Sequence, residues 1–133
     1  MIKSKIDIRV RYEETDKMGV VYHAKYFTWF EVARIELLDH IGCPYRELEE
    51  RGYFLPVLQC QAKYHMPAHF DDRLKVHVEI SREPVARIEI SYQVYRGADL
   101  LATAQTTHAF IDQGGELIRP PKSFLERAGQ YFS

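Results

Sequence analysis

The stretch YFTWFEVARIELLDHIG, residues 26–42, repeats large or apolar side chains at Tyr26, Phe30, Ala33, Leu37 and Ile41, at spacings of four, three, four and four. Those intervals place all five on one face of a helix. Gly42 and then Pro44 end it, because glycine readily takes the left-handed turn that closes a helix and proline cannot continue one. Phe27, Trp29, Val32, Ile35 and Leu38 carry apolar character well beyond that stripe, so the helix is expected to be covered on more than one side.

On either side of this helix the period changes to two. Ile6, Ile8, Val10 and Tyr12 alternate with Asp7, Arg9 and Arg11, with Tyr12 as the last apolar member. Leu58, Cys60, Ala62 and Tyr64 alternate with Gln59, Gln61 and Lys63; Leu74, Val76, Val78 and Ile80 with Lys75, His77 and Glu79; Ile88, Ile90, Tyr92 and Val94 with Arg87, Glu89, Ser91 and Gln93. Each run predicts an antiparallel strand with one buried face. A fifth run, Leu100 to Ile111, is longer and mixed, and the short link Arg96, Gly97, Ala98, Asp99 predicts a hairpin with its predecessor. A short helix from Pro44 to about Arg51 and a C-terminal one from about Lys122 to Tyr131 complete the elements. One long apolar helix between the first and second of five strands is an α+β pattern in which the sheet wraps its helix.

The 133 residues suit a single domain spanning 1–133. With 46 % apolar and 28 % charged residues the chain should fold. Its 18 Lys+Arg against 19 Asp+Glu provide no basic field to collect nucleic acid. No apolar run is long enough for a membrane span, and Met1 to Asp7 lacks the apolar centre of an export signal, so a cytoplasmic location is expected. Cys43 and Cys60 have no metal-type spacing and are expected to stay reduced as packing residues.

The connection from the first strand to the long helix, YEETDKMGVVYHAKY (residues 12–26), is dense in functional side chains. It resembles the 4-hydroxybenzoyl-CoA thioesterase-like family of hotdog-fold proteins, and especially the bacterial branch associated with the Tol-Pal envelope system. That branch shows Tyr, three residues, Asp, two residues, Gly, then Val-Tyr-His-Ala, met here by Tyr12, Asp16, Gly19, Val21, Tyr22, His23 and Ala24. The resemblance continues through Glu31, Ala33 and Arg34 and the order of the later strands. It implies a five-stranded hotdog fold, an acyl-CoA substrate, hydrolysis without cofactor or metal, and a homodimer or homotetramer. It matches Asp16 to the family's catalytic carboxylate and Tyr12 and His23 to residues beside it, with Gly19, Val20 and Tyr22 as the substrate-binding segment. Where the branch often has Asn after His-Ala, this chain has Lys25, a departure that bears on acyl preference or on contact with a neighbouring subunit rather than on the reaction.

The residue types agree with such chemistry. A thioester carbonyl is already electrophilic, and its hydrolysis needs a carboxylate to attack or to activate water, plus donors for the developing oxyanion. Amides at a helix N-terminus after Gly19 supply such donors. A hotdog hydratase or dehydratase and a non-catalytic acyl-CoA-binding module are the rival functions; release of free thiol separates hydrolysis from both. Each residue also has a plainer reading. Thr-Asp before a glycine is ordinary turn chemistry, Tyr12 suits a core position, and His23 suits a helix start. His65 and His69 with Asp71 and Asp72 have metal-ligand chemistry, but Pro67 breaks the helix that would align them, so a surface loop is expected. Arg87, Arg96, Arg119 and Lys122 read as solvated charges.

Overall fold

A computed structural model describes all residues, 1–133. Five strands, β1 (Ile2–Arg9), β2 (Val57–Tyr64), β3 (Arg73–Ile80), β4 (Arg87–Arg96) and β5 (Asp99–Ala109), form one antiparallel sheet in the order β1-β3-β4-β5-β2. The long helix α1 (Lys25–His40) packs on β1 and β3, with the shorter α2 (Tyr45–Glu50) following it and α3 (Lys122–Gly129) following β5.

The five helix positions set by the sequence period, Tyr26, Phe30, Ala33, Leu37 and Ile41, are all buried, and Trp29 and Leu38 join them. The breadth of the apolar surface misleads on the far side: Val32 and Ile35 remain exposed, because the sheet of one chain covers the helix from one direction only. Gly42 ends the helix at φ 82°, and a Cβ there would meet the Arg127 guanidinium of α3 at 2.5 Å. The left-handed φ is what requires glycine here, since the flexible Arg127 side chain could move aside from a Cβ.

The strand register explains the mixed composition of β5. Ile90 pairs with Thr106, Tyr92 with Ala104 and Val94 with Ala102, so bulky inward residues of β4 alternate laterally with small ones. Phe30 then packs on Tyr92 with ring centroids 4.6 Å apart. The hairpin through Gly97 and the pairing of β5 with β4 follow the sequence reading.

Two strand expectations are corrected. The first strand ends at Arg9, and Tyr12 lies beyond it in a single 3-10 turn, Tyr12–Glu14, with 76 % of its surface exposed. Its alternation with the strand was therefore accidental, since the chain has already turned towards α1. Strand β2 has the expected extent, but neither of its faces is buried, and Val57, Leu58 and Tyr64 are exposed. The physical reason is position: β2 forms the outer edge next to β5, while α1 packs mainly on β1 and β3 and meets β2 only where Tyr26 touches Tyr64 at its end.

One polar chain crosses the core. Arg34 Nη1 donates to the Tyr92 hydroxyl at 3.2 Å, which shares a 2.7 Å hydrogen bond with Thr106 Oγ1. Thr106 Oγ1 lies 2.9 Å from His108 Nε2, and His108 Nδ1 lies 3.0 Å from the Pro56 carbonyl. A carbonyl only accepts, so Nδ1 carries the proton and Nε2 accepts from Thr106, the pattern of a neutral imidazole. Burial and the nearby Arg34 charge push the His108 pKa down to about 4, against the opposing pull of the Pro56 carbonyl. An unfolded histidine binds its proton near pH 6.5, so below that pH the unfolded chain takes up a proton that the folded one refuses, and stability falls until the pH reaches the folded value. Urea unfolding at pH 5 is expected to show roughly 2 kcal/mol less stability than at pH 7.5 from this group. His108→Gln should flatten the dependence; an unchanged pH dependence in that variant would refute the assignment.

Candidate active site

Between the 3-10 turn and α1 the chain folds back on itself. The Asp16 N–H donates to the Val20 carbonyl at 2.9 Å, and the Gly19 N–H donates to the Asp16 carbonyl at 3.0 Å. Asp16 Oδ1 accepts the Met18 N–H at 2.8 Å, while its other carboxylate oxygen makes no hydrogen bond within the chain. Gly19 sits at φ 81° with nothing within 4 Å of a hypothetical Cβ, so it is needed for its backbone conformation alone.

This turn is tied down on two sides. The Val21 N–H donates to the Ala68 carbonyl at 2.8 Å, joining the turn to the segment that leads into β3, and the Tyr22 N–H donates to the Glu14 carbonyl at 2.9 Å. Glu14 itself is buried. Its carboxylate accepts the Trp29 indole N–H at 2.8 Å and the Arg11 backbone N–H at 2.7 Å, with the Arg11 guanidinium 3.4 Å away. Burial works to raise its pKa, but those donors outweigh burial and hold it below the usual carboxylate value. Glu14 is therefore committed to structure, and Glu13 turns outward to Arg11 at 2.9 Å. Of the three acidic residues between 13 and 16, Asp16 alone reaches the cavity described next.

That cavity, of about 390 Å³, has two walls: residues of the 16–26 segment, including Asp16, Val20, His23 and Tyr26, and the end of β2 with the loop after it, including Tyr64 and His65. The walls are held together by the Tyr64 hydroxyl, which donates to the His23 carbonyl at 2.8 Å, and by the Tyr26 and Tyr64 rings, 5.0 Å apart and edge to face. Burial raises the pKa of both phenols, so neither ionises readily. The backbone N–H groups of His23 and Ala24 have no acceptor within the chain. A free carboxylate oxygen and unpaired amides thus occupy the same short segment.

The sequence-predicted residues divide accordingly. Asp16, Val20 and His23 line the cavity, and Gly19 shapes the turn that presents them. Tyr12 lies outside, its ring packed edge to face on Phe70 at 5.6 Å, and Tyr22 is exposed with its ring 4.5 Å from that of His23. Of the amides just after Gly19, that of Val20 has no acceptor within the chain, whereas those of Val21 and Tyr22 are used by the anchors of the turn, and the next unpaired ones are those of His23 and Ala24. His65 and His69 lie in a loop, as Pro67 suggested, but His65 folds onto the cavity while His69 does not. Arg96 is held by Asp72 at 2.8 Å. Glu14, Tyr26, Tyr64 and His65 are the contributors that sequence reasoning missed. Of these only Glu14 left a signal, a glutamate fifteen residues before a helix tryptophan.

Comparison with known proteins identifies the class. The chain matches the Thioesterase-like superfamily over residues 10–128 and belongs to that family. It is 36 % identical over 108 residues to the acyl-CoA thioesterase YbgC of Haemophilus influenzae, covering 80 % of this chain and 79 % of that one. Among solved structures it resembles the hypothetical protein TT1821 of Thermus thermophilus, with TM-score 0.90 and 33 % identity over 96 % of both chains. It also resembles the DHNA-CoA thioesterase of Staphylococcus aureus, with TM-score 0.86 and 31 % identity over 99 % of this chain and 85 % of that one. The sheet wrapped around α1 is the hotdog fold.

Removing the Glu14 carboxylate leaves a buried indole N–H and the Arg11 amide without their acceptor. Glu14→Ala is expected to destabilise the protein by about 2–3 kcal/mol in urea titration; a loss within error of zero would show that the loop is held by its other contacts.

Proposed function

We propose that this protein hydrolyses acyl-CoA thioesters to the free acid and CoA, with Asp16 as nucleophile or as the base that activates water. The observation that carries the reading is a cavity lined by Asp16 and His23, on a segment where one Asp16 oxygen and the amides of His23 and Ala24 have no partner within the chain. The carboxylate supplies or activates the attacking oxygen, and the amides of His23 and Ala24 are suited to receive the oxyanion as it forms. The His23 side chain, on the same wall, is a second candidate for orienting water. Tyr12, matched by its motif to the catalytic surroundings, is separated from the cavity in the single chain, and its hydroxyl has no part in the mechanism proposed here. Acyl-CoA is the substrate class named for the Haemophilus relative, and such a substrate agrees with action in the cytoplasm. No helix is long and apolar enough to cross a membrane. Assignment to the Tol-Pal-associated branch rests on the motif from Tyr12 to Ala24.

The same reading includes assembly into a dimer or a dimer of dimers. Strand β2 leaves one edge unpaired and its apolar residues exposed, a condition that favours pairing with a second chain. A second cavity, of about 420 Å³ and including Glu31, Arg34, Ile35, Leu38 and Val57, flanks the start of β2, whereas the Asp16 cavity flanks its end. Antiparallel pairing of two β2 strands would set the first cavity of one chain beside the second of its partner, giving the acyl group room across the interface. Sedimentation is expected to give the mass of two or four chains; a fully active monomer at micromolar concentration would overturn the assembly.

For the chemistry, Asp16→Asn keeps the shape and one acceptor oxygen but removes the carboxylate. Its kcat for thiol release from acyl-CoA should fall at least about 10²-fold while an unreactive analogue still binds, and His23→Ala should lose about 10²–10³-fold if the imidazole participates. An Asp16→Asn protein that binds the analogue and keeps more than about a tenth of the wild-type rate, less than the loss of any catalytic carboxylate, would reduce Asp16 to a turn residue.

A further inference from the structure

His65 is an exposed loop residue, as its sequence context suggests, and it also lines the Asp16 cavity. Its position is fixed from the backbone outward. The His65 N–H donates to the Leu101 carbonyl of β5 at 2.8 Å, and Nε2 approaches Thr103 Oγ1 of the same strand at 3.5 Å. Nδ1 has no partner within the chain. The group stands on the wall formed by residues 64–67, whereas Asp16 and His23 belong to the wall formed by residues 16–26.

We infer that His65 is the general acid that protonates the departing thiol sulfur, an inference that rests on the thioesterase reading above. An oxygen delivered from the Asp16 wall bonds to the carbonyl carbon on that side, which directs the sulfur towards the 64–67 wall. On that wall Met66 and Pro67 carry no acidic proton, and the Tyr64 hydroxyl already donates to the His23 carbonyl. An imidazole is the side chain that ordinarily exchanges protons near neutral pH.

The proton balance closes without a further reactant. Asp16, written as the base, takes one proton from water while the water oxygen bonds to the carbonyl carbon. As the tetrahedral species collapses, the C–S bond breaks, its electron pair goes to sulfur, and the proton of the His65 imidazolium moves to sulfur. Asp16 then returns its proton to solvent and His65 takes one back, leaving carboxylic acid and thiol. Alkyl thiols are weak acids, with pKa roughly 8.5 for a cysteine-like thiol, so expulsion of the bare thiolate gains from such a donor.

The leaving group supplies the test. His65→Ala and the closer-sized His65→Gln are assayed with one acyl group carried either on CoA or on 5-thio-2-nitrobenzoate, an aryl thiol acidic enough to depart unprotonated. On the CoA thioester kcat should fall by about 10²-fold in both variants, the scale of general acid assistance, while the aryl thioester should change by less than about threefold. Equal losses on both substrates would make His65 a wall residue that shapes the cavity, and no loss on CoA would remove it from the reaction; either result overturns the inference. Absence of thiol release from both thioesters by the wild-type protein would instead overturn the hydrolase reading beneath it.

Discussion

The buried hydrogen bond from the Trp29 indole to the Glu14 carboxylate joins the connecting loop to the helix around which the sheet is wrapped. A charged carboxylate is expensive to bury unless donors replace its water, and Glu14 finds them in Trp29, the Arg11 amide and the Arg11 guanidinium. Because these donors come from both sides of the 3-10 turn, the carboxylate fixes where the chain leaves β1 and where it enters α1. The Asp16–Val20 turn hangs between those points. With the Val21 amide held by Ala68 as well, Asp16 has few other places to be. A site built in this way is preorganised: its carboxylate and amides are held by bonds to other groups before substrate arrives.

Division of labour among three nearby acids follows from their surroundings rather than their type. Glu13 faces solvent and an arginine, Glu14 is saturated with donors, and Asp16, on the cavity, spends one oxygen on the Met18 amide and leaves the other unbonded. The same economy appears in the tyrosines. Burial makes the phenols of Tyr26 and Tyr64 poor acids, which suits Tyr26 to packing and Tyr64 to holding the His23 carbonyl. Beneath α1 the chain from Arg34 to Pro56 satisfies its interior polar groups in sequence, so the aromatic packing of Phe30 on Tyr92 carries no unmet hydrogen bond.

How much of this was legible in the sequence depends on the range of the interaction concerned. The helix face from Tyr26 to Ile41, the β4–β5 hairpin and the inward sides of β3 and β4 are local periodicities against a single large surface, and period alone located them. That Asp16 and His23 stand together on one connection was legible because their motif is contiguous. Strand β2 shows the limit: alternation records that one face is apolar but not what covers it, and within one chain that face stays largely exposed. Tyr12 kept the period of β1 after the strand had ended. His65 was hidden for another reason, since its place on the same cavity as Asp16 depends on the end of β2 meeting the segment before α1, residues some forty positions apart in the sequence.

The central claim is that a carboxylate at position 16, and not the fold around it, drives hydrolysis. Chemical rescue addresses it directly. Asp16→Ala opens a space where a small carboxylate can stand in for the missing group, and thiol release from acyl-CoA is followed as sodium formate is added, with sodium chloride as the ionic-strength control. The account predicts a variant nearly inactive alone whose rate rises saturably with formate and not with chloride. An Asp16→Ala protein that hydrolyses acyl-CoA at close to the wild-type rate without formate would contradict it.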